Sequence, residues 1–204
     1  ASEIIRMAPK SDTHNSTVFD SYDREELLVS NLNPELKGQY QMKNIPGVIS
    51  SARELQKQGY KITNEHIRVG IESAVRLTGL KGRWQKLGEL PLIICDTGHN
   101  VDGLKEVVAQ IRSQRFNKLF VVLGMVKDKD ISSALRVLPR EAYYFFCQAS
   151  IPRALDAHAL SDQAISAGLQ GEVIKDVNVA IDAAKAMADH EDFIFIGGST
   201  FVVA

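Results

Sequence analysis

The chain has 204 residues, with 24 basic and 25 acidic side chains, so its formal net charge is −1 at pH 7. This balance gives no electrostatic basis for binding nucleic acid or an anionic membrane, and we predict neither partner. Hydrophobic residues make up 45% of the chain, as in soluble globular proteins, but apolar runs such as 193–196 are far too short to span a membrane. The first ten residues lack the apolar core of a signal peptide, so we expect a cytoplasmic protein.

The first 80 residues predict two helices but little sheet. Residues 1–25 are polar and irregular, and they suit either a mobile lead-in or a pair of short strands. Thr63 or Asn64 would cap the second helix, and Gly79 would end it. Because two helices and a strand or two form a poor core, we expect the tail of a domain rather than a whole one. Apolar spacing predicts, in order, a strand at 27–29 and helices at 48–58 and 65–78.

From residue 82 onward, predicted strands alternate with predicted helices. This alternation is typical of crossover units and a mostly parallel sheet. We therefore predict an α/β fold, with a Rossmann-like, mostly parallel sheet in a C-terminal domain at 81–204 and a separate region at 1–80. The predicted strands are 92–95, 118–123, 143–148, 172–174 and 193–196, and the predicted helices are 101–114, 131–138, 157–167 and 178–188.

Polar side chains follow three of these predicted strands, where each strand ends. Because the carboxyl ends of parallel strands meet at one edge of a sheet, α/β folds bind their ligands there. Three polar loops at one edge therefore predict a binding site more strongly than any single loop does. The loops contain, in chain order, Asp96, His99 and Asn100, then Lys127, Lys129 and Asp130, and finally Ser199 and Thr200 after two glycines.

The first loop allows two interpretations. The Asp96 carboxylate can accept hydrogen bonds from a ribose while His99 and Asn100 face phosphates, and histidine is the side chain suited to titrate near neutral pH. Alternatively, Asp96 and Asn100 only cap the turn and the following helix, as these residue types often do.

The second loop is also open to two interpretations, and the third has one functional interpretation. Lys127 or Lys129 can pair with a substrate carboxylate, or this loop is a solvated turn in which Asp130 caps the next helix. Ser199 or Thr200 can donate a hydrogen bond to a ligand that approaches the glycine-rich turn closely. That turn lacks the G-x-G-x-x-G pattern, so it does not predict a dinucleotide site.

Two positions outside these loops can also contact a nucleotide. The Arg83 guanidinium can clamp a phosphate, although an arginine near a linker is more often a surface charge. Asn44 lies before a predicted helix, and its amide can read an adenine edge, but a role at the helix start explains it equally well. Cys95 and Cys147 lie in apolar runs without metal-ligand spacing, so we predict buried free thiols and no metal site.

Five short motifs occur in a fixed order: L-x-G-x-Y-Q-x-x-N at 36–44, GRWQ at 82–85, D-x-G-H-N at 96–100, G-M-x-x-DKD at 124–130 and GGS at 197–199. Together they resemble folylpolyglutamate synthase, including bacterial bifunctional enzymes that also act as dihydrofolate synthase, within the wider Mur-type ATP-dependent amide ligases. The resemblance covers residues 27–204. It implies that 1–80 is the end of a central ATPase domain and that 81–204 is the C-terminal domain.

The resemblance implies a reaction in which ATP phosphorylates a carboxylate and the amine of L-glutamate then displaces phosphate from the acyl phosphate. The implied small molecules are ATP, Mg²⁺, L-glutamate and folate or dihydropteroate. It also implies roles for six residues: Asn44 contacts adenine, Arg83 contacts the phosphates, Asp96 holds the ribose, His99 is catalytic at the phosphate end, and Lys129 and Ser199 bind the incoming glutamate.

The phosphate-cradling loop and the Mg²⁺ ligands of this family have no counterpart in the sequence. We expect them upstream of residue 1, and we expect the 204-residue chain to be a monomer without ligase activity of its own. Two alternatives stay open. The chain could be the C-terminal domain of another Mur-type ligase acting on a cell-wall precursor, or a non-catalytic nucleotide-binding module.

Overall fold

The computed structural model of the protein describes residues 5–13, 16–127 and 130–204. Contacts between Cα atoms divide the chain into two compact units, Ala1–Lys81 and Gly82–Ala204, which we call the N-terminal unit and the C-terminal unit.

Within its described residues, the N-terminal unit has an antiparallel sheet with the strand order β1-β2-β3 and three helices. Of the two possibilities for residues 1–25, the pair of strands is therefore the one observed. The elements are β1 (Ile5–Thr13), β2 (Ser16–Asp23), β3 (Glu26–Leu32), α1 (Gln41–Lys57), α2 (Asn64–Glu72) and α3 (Ala74–Thr78).

The first helix is longer than its apolar spacing indicates. The spacing predicts a start at residue 48, whereas α1 begins at Gln41 and contains Pro46. Proline cannot donate to the carbonyl four residues earlier, and Ile45 is the one buried side chain in 41–47, so the first turns carry little helical signal. The amphipathic pattern becomes visible only beyond these turns.

The ends of the next helical stretch agree with the prediction. Thr63 caps α2, because its hydroxyl accepts from the His66 backbone N–H at 3.1 Å while His66 Nδ1 accepts from the Thr63 N–H at 3.3 Å. Gly79 ends α3 in the left-handed conformation, with φ of 68°. Ser73 separates α2 from α3, a break that the periodicity at 65–78 does not reveal.

The C-terminal unit contains, in its described part, a six-stranded sheet with the order β4-β5-β9-β6-β7-β8. All neighbouring strands are parallel except β4 and β5, so the predicted mostly parallel α/β fold is confirmed. The elements are β4 (Gln85–Glu89), β5 (Leu92–Cys95), α4 (Val101–Arg112), β6 (Leu119–Leu123), α5 (Ile131–Val137), β7 (Tyr143–Phe146), α6 (Ala157–Ser166), β8 (Gln170–Val173), α7 (Val177–Met187), β9 (Phe193–Gly197) and α8 (Thr200–Val203).

Helices cover both faces of this sheet, which explains why the central strands are continuous apolar runs. One face packs against α4, α5 and α6 through residues such as Leu104, Leu135 and Leu160. The other face packs against α7 and α8 through residues such as Ala180 and Val202. Because apolar side chains cover both faces of the sheet, its polar side chains lie at the strand ends.

Cys95 and Cys147 are buried free thiols, as predicted. Burial raises the pKa of Cys95 to about 11, and the neighbouring Asp96 charge adds to this effect, so the thiol stays protonated at neutral pH. None of the helices in the described ranges combines the length and the apolarity needed to cross a bilayer.

Candidate functional site

The loops that follow β5, β6, β7 and β9 meet at the carboxyl edge of the C-terminal sheet. Backbone hydrogen bonds extend the strand pairing to this edge: Asp96 N–H donates to the Ile196 carbonyl of β9 at 3.1 Å, and Cys147 N–H donates to the Leu123 carbonyl of β6 at 2.9 Å. The fold therefore brings Asp96, His99 and Ser199 to one edge, as the strand-end argument predicts.

Asp96 is a buried carboxylate that holds two backbone amides. Its residue is 2% exposed, its Oδ2 accepts from the Trp84 N–H at 2.7 Å, and its Oδ1 accepts from the Gly98 N–H at 2.7 Å. Asn100 caps α4, since its Oδ1 accepts from the Gly103 N–H at 2.7 Å. The capping interpretation thus applies to both residues, and a ribose contact at Asp96 stays a prediction.

Arg83 lies in a turn that the Asp96 loop closes. The Gly82 carbonyl accepts from the Thr97 N–H at 2.9 Å, and the Gly82 N–H donates to Gln85 Oε1 at 2.8 Å. The turn places Arg83 at the surface with an exposed side chain, while the next residue, Trp84, is buried.

His99 is half-buried, and its Nδ1 lies 3.0 Å from the Thr97 carbonyl oxygen. A carbonyl oxygen can only accept, so we assign the proton of this contact to Nδ1. In the neutral ring Nε2 is then the acceptor, and in the charged ring it becomes a second donor.

Ser199 caps the short helix α8, with its Oγ accepting from the Phe201 N–H at 3.2 Å, and it is 2% exposed. Its hydroxyl proton remains able to donate.

Asn44 lies in the N-terminal unit, on α1, where its exposed amide donates to Gln41 Oε1 at 3.1 Å. Lys129 lies outside the described residues.

Arg153 is an edge residue that the strand-end argument does not identify. Its guanidinium lies 4.6 Å from the centre of the Phe201 ring, two residues after Ser199. The Arg153 carbonyl also accepts from the Lys127 N–H at 3.0 Å, which joins the loops after β6 and β7. In the sequence, Arg153 is a cation that follows the strand predicted at 143–148. That loop has no cluster of polar residues like those in the loops after β5, β6 and β9, so the sequence did not single it out.

Two buried polar atoms at the same edge have no hydrogen-bond partner among the described residues: Thr97 Oγ1 and Gln148 Oε1. Buried polar groups are normally paired, so such atoms concentrate where ligands or ordered waters bind. Across the ranges that the structure describes, no group of three or more His, Cys, Asp or Glu side chains could hold a metal ion.

The mostly parallel sheet and the polar loops at its carboxyl edge are the architecture of an α/β domain, a class of fold that binds ligands at this edge. Residues 82–200 match the family model described as Mur ligase, glutamate ligase domain. This match covers more than half of the chain, and the chain belongs to that family.

Named relatives agree with this assignment. A probable bifunctional folylpolyglutamate synthase/dihydropteroate synthase of Haloferax volcanii is 31% identical over 172 residues, which cover 83% of this chain and 20% of that protein. The dihydrofolate synthase/folylpolyglutamate synthase of Escherichia coli is 29% identical over 160 residues, which cover 78% of this chain and 36% of that protein.

The solved structure of E. coli FolC in complex with DHPP and ADP matches with a TM-score of 0.74 and 26% identity, over 94% of this chain and 43% of that one. The chain therefore spans less than half the length of the relatives that it matches. The predicted resemblance to folylpolyglutamate synthases is confirmed.

Proposed function

We propose that the chain supplies the glutamate-ligase part of an ATP-dependent enzyme that adds L-glutamate to folate or dihydropteroate through an acyl phosphate. The observation that carries this proposal is the match of residues 82–200 to the glutamate ligase domain. It is supported by relatives named as folylpolyglutamate synthases and by a similar solved structure that holds ADP.

We assign the nucleotide to Asn44, Arg83 and Asp96. Arg83 is exposed and offers several N–H donors in a planar fork, which suits phosphate oxygens. Asn44 is exposed and carries an amide that matches an adenine edge. Asp96 is assigned to the ribose hydroxyls, although its 2% exposure and its two backbone bonds make it the least accessible of the three.

His99 is the proposed catalytic residue at the phosphate end. With Nδ1 directed at the Thr97 carbonyl, Nε2 is the nitrogen that can face a phosphoryl oxygen or exchange a proton. Ser199, Lys129 and the additional residue Arg153 are proposed for glutamate, because a hydroxyl and two cations suit its carboxylates. Mg²⁺ is proposed to accompany the phosphates of ATP.

The nucleotide assignment is tested by titrating the 204-residue chain with Mg–ATP and following backbone amides by NMR, which detects weak binding. We expect shifts at residues 83 and 96–99 and weaker binding in Arg83→Ala. Arg112→Ala is the matched control, because Arg112 is also exposed but lies at the far end of α4. Equal affinity in Arg83→Ala and wild type would contradict the assignment.

The glutamate assignment needs its own titration. L-glutamate should shift amides near Ser199 and Arg153, and Arg153→Ala should weaken that effect. Shifts confined to other parts of the chain would contradict it.

Phosphate release from ATP with dihydropteroate and glutamate should be absent for this chain alone, and turnover would refute the expected inactivity. Size-exclusion chromatography tests the predicted monomer.

A further inference from the structure

The turn that carries Arg83 is held by the loop that carries Asp96. We propose that Asp96 is a positioning residue, which fixes the backbone that carries the phosphate-binding Arg83 side chain by accepting from the Trp84 backbone N–H. This inference rests on the proposed phosphate contact of Arg83. It adds to that contact a role for Asp96 that requires no direct contact with the ligand.

Left-handed residues stand on both sides of Arg83. Gly82 has φ of 70° and Trp84 has φ of 46°. A bulky residue such as tryptophan adopts this conformation only where surrounding contacts stabilise it. At Gly82 a Cβ atom would lie 2.7 Å from both Thr97 Cγ2 and Val203 Cγ1, so the turn also requires glycine there. The backbone of Arg83 is therefore held in one shape rather than free to sample many.

The contacts that hold this shape come mainly from residues 96 and 97. Asp96 Oδ2 accepts from the Trp84 N–H at 2.7 Å, and the Thr97 N–H donates to the Gly82 carbonyl at 2.9 Å. Gly82 and Trp84, the two neighbours of Arg83, are thus both hydrogen-bonded to the residues that directly follow β5. A hydrogen bond to an ionised carboxylate is stronger than a neutral one, which suits the strained position of Trp84.

The Trp84 side chain anchors the turn to the sheet. The residue is 8% exposed, and its ring packs against Phe193 and Phe195 of β9, with ring centroids 6.4 Å apart in each case. Arg83 is then an exposed side chain between two residues whose backbones are hydrogen-bonded to the Asp96 loop. Pre-positioned charges of this kind bind phosphate without losing backbone entropy, which is the advantage that Asp96 provides.

The same carboxylate reaches the loop that carries His99. Asp96 Oδ1 accepts from the Gly98 N–H at 2.7 Å, and the His99 ring contacts the Thr97 carbonyl at 3.0 Å. A single buried acid therefore sets the relative position of the two groups proposed to face phosphate. Loss of Asp96 should loosen the arginine turn while the rest of the sheet stays intact.

Asp192 is a matched control for this experiment. It is also 2% exposed and also accepts two backbone N–H groups, from Lys118 at 2.9 Å and Asp189 at 2.8 Å. Those bonds lie at the amino ends of β6 and β9, at the opposite edge of the sheet. Asp192→Asn thus makes an equivalent chemical change far from Arg83.

The experiment measures the affinity of the 204-residue chain for Mg-free tripolyphosphate, which has no ribose or base, by NMR titration. Asp96→Asn should weaken binding about fivefold in the wild-type background and less than about twofold in Arg83→Ala, as expected for coupled residues. Asp192→Asn should leave the affinity unchanged. Trp84 is the single tryptophan, so its emission should shift to the red in Asp96→Asn but not in Asp192→Asn.

Gln85→Ala is a milder second variant if Asp96→Asn unfolds, since Gln85 Oε1 accepts from the Gly82 N–H at 2.8 Å. It should weaken tripolyphosphate binding in the same Arg83-dependent way. Equal effects of Asp96→Asn with and without Arg83 would overturn the positioning role. So would a variant that binds ADP more weakly but tripolyphosphate normally, because that result assigns Asp96 to the ribose alone.

Two other outcomes would refute the proposed phosphate contact of Arg83 without deciding the positioning role. These are a wild-type chain that binds no tripolyphosphate, and an Arg83→Ala variant that binds it as tightly as wild type. The positioning inference is then decided by the ¹⁵N heteronuclear NOE of the Arg83 amide. A lower NOE in Asp96→Asn than in Asp192→Asn supports it, and equal values overturn it.

Discussion

Each edge of the C-terminal sheet has a buried aspartate that accepts two backbone N–H groups. At the carboxyl edge Asp96 binds the Trp84 and Gly98 amides, and at the amino edge Asp192 binds the Lys118 and Asp189 amides. Both acids are 2% exposed. By chemistry and burial they are equivalent.

Their surroundings differ. Beside Asp192, the Asn117 amide donates to the Glu191 carboxylate at 2.8 Å, so this edge adds one more paired polar contact. The carboxyl edge instead contains Thr97 Oγ1 and Gln148 Oε1, two buried oxygens that have no hydrogen-bond partner among the described residues. A buried acid alone therefore does not indicate a functional edge. Within the described residues, the unpaired buried oxygens are what distinguish the carboxyl edge.

The largest expected difference between the edges concerns two left-handed glycines. At Gly198, which has φ of 90°, a Cβ would lie 2.6 Å from Leu123 Cδ1 and 2.8 Å from the Gly124 carbonyl oxygen. We expect Gly198→Ala to lower the free energy of unfolding by about 3 kcal/mol or more, because strain and clash add. Urea denaturation measures this loss.

Gly168, near the amino edge, is the control for that substitution. It has φ of 86°, but the nearest atom to an added Cβ is 3.6 Å away, on the Arg140 side chain. Gly168→Ala should therefore lose only the conformational cost of about 1–2 kcal/mol. Equal losses at the two glycines would show that the carboxyl-edge turn is no more tightly packed than the amino-edge one.

The two buried aspartates should contribute similarly to stability. We expect Asp96→Asn and Asp192→Asn each to lower the free energy of unfolding by about 1–3 kcal/mol, because one amide N–H in each site then faces an NH₂ group instead of an acceptor. Urea denaturation at pH 7 measures both. If Asp96→Asn cost nothing, the Trp84 turn would not depend on its carboxylate.

Thr97 tests the unpaired groups of the carboxyl edge. Since its buried hydroxyl has no partner among the described residues, Thr97→Val should raise the free energy of unfolding by up to about 1 kcal/mol. Thr63→Val is the contrast, because the Thr63 hydroxyl caps α2, and it should lose about 1 kcal/mol. A loss of stability in Thr97→Val would mean that its hydroxyl is paired, for example by water.

The smallest expected effect is the pH dependence of a helix cap at the carboxyl edge. The backbone N–H of Ala159, with that of His158, donates to the Asp156 carboxylate and lowers its pKa. A lowered pKa stabilises the fold fully above the ordinary aspartate value of about 4, and this contribution is lost as pH falls through the folded-state pKa.

Asp156→Asn should therefore be less stable than wild type at pH 7, with a gap that narrows as the pH falls below about 4. Urea midpoints measured from pH 7 down to pH 2.5 test this. Asp162→Asn, an exposed substitution on α6 away from the cap, is the control and should show no such narrowing. A constant gap for Asp156→Asn would contradict the role of the carboxylate charge.

Sequence patterns located the interior of the C-terminal unit well. The strand predicted at 92–95 coincides with β5, because buried parallel strands leave a continuous apolar signal. They missed β4, whose residues are exposed or half-buried at the sheet edge and carry little pattern. They also missed the first turns of α1, where Pro46 interrupts the helical signal.

The sequence by itself determined which residue types stand at the strand ends, since apolar runs end sharply at Asp96, Gly124 and Gly197. Only the tertiary structure decided what those residues do. The bond from Asp96 to Trp84 joins residues twelve apart across a left-handed turn, and Arg153 meets Phe201 from another loop. Local patterns report periodicity and caps, whereas such pairings depend on how distant segments pack together.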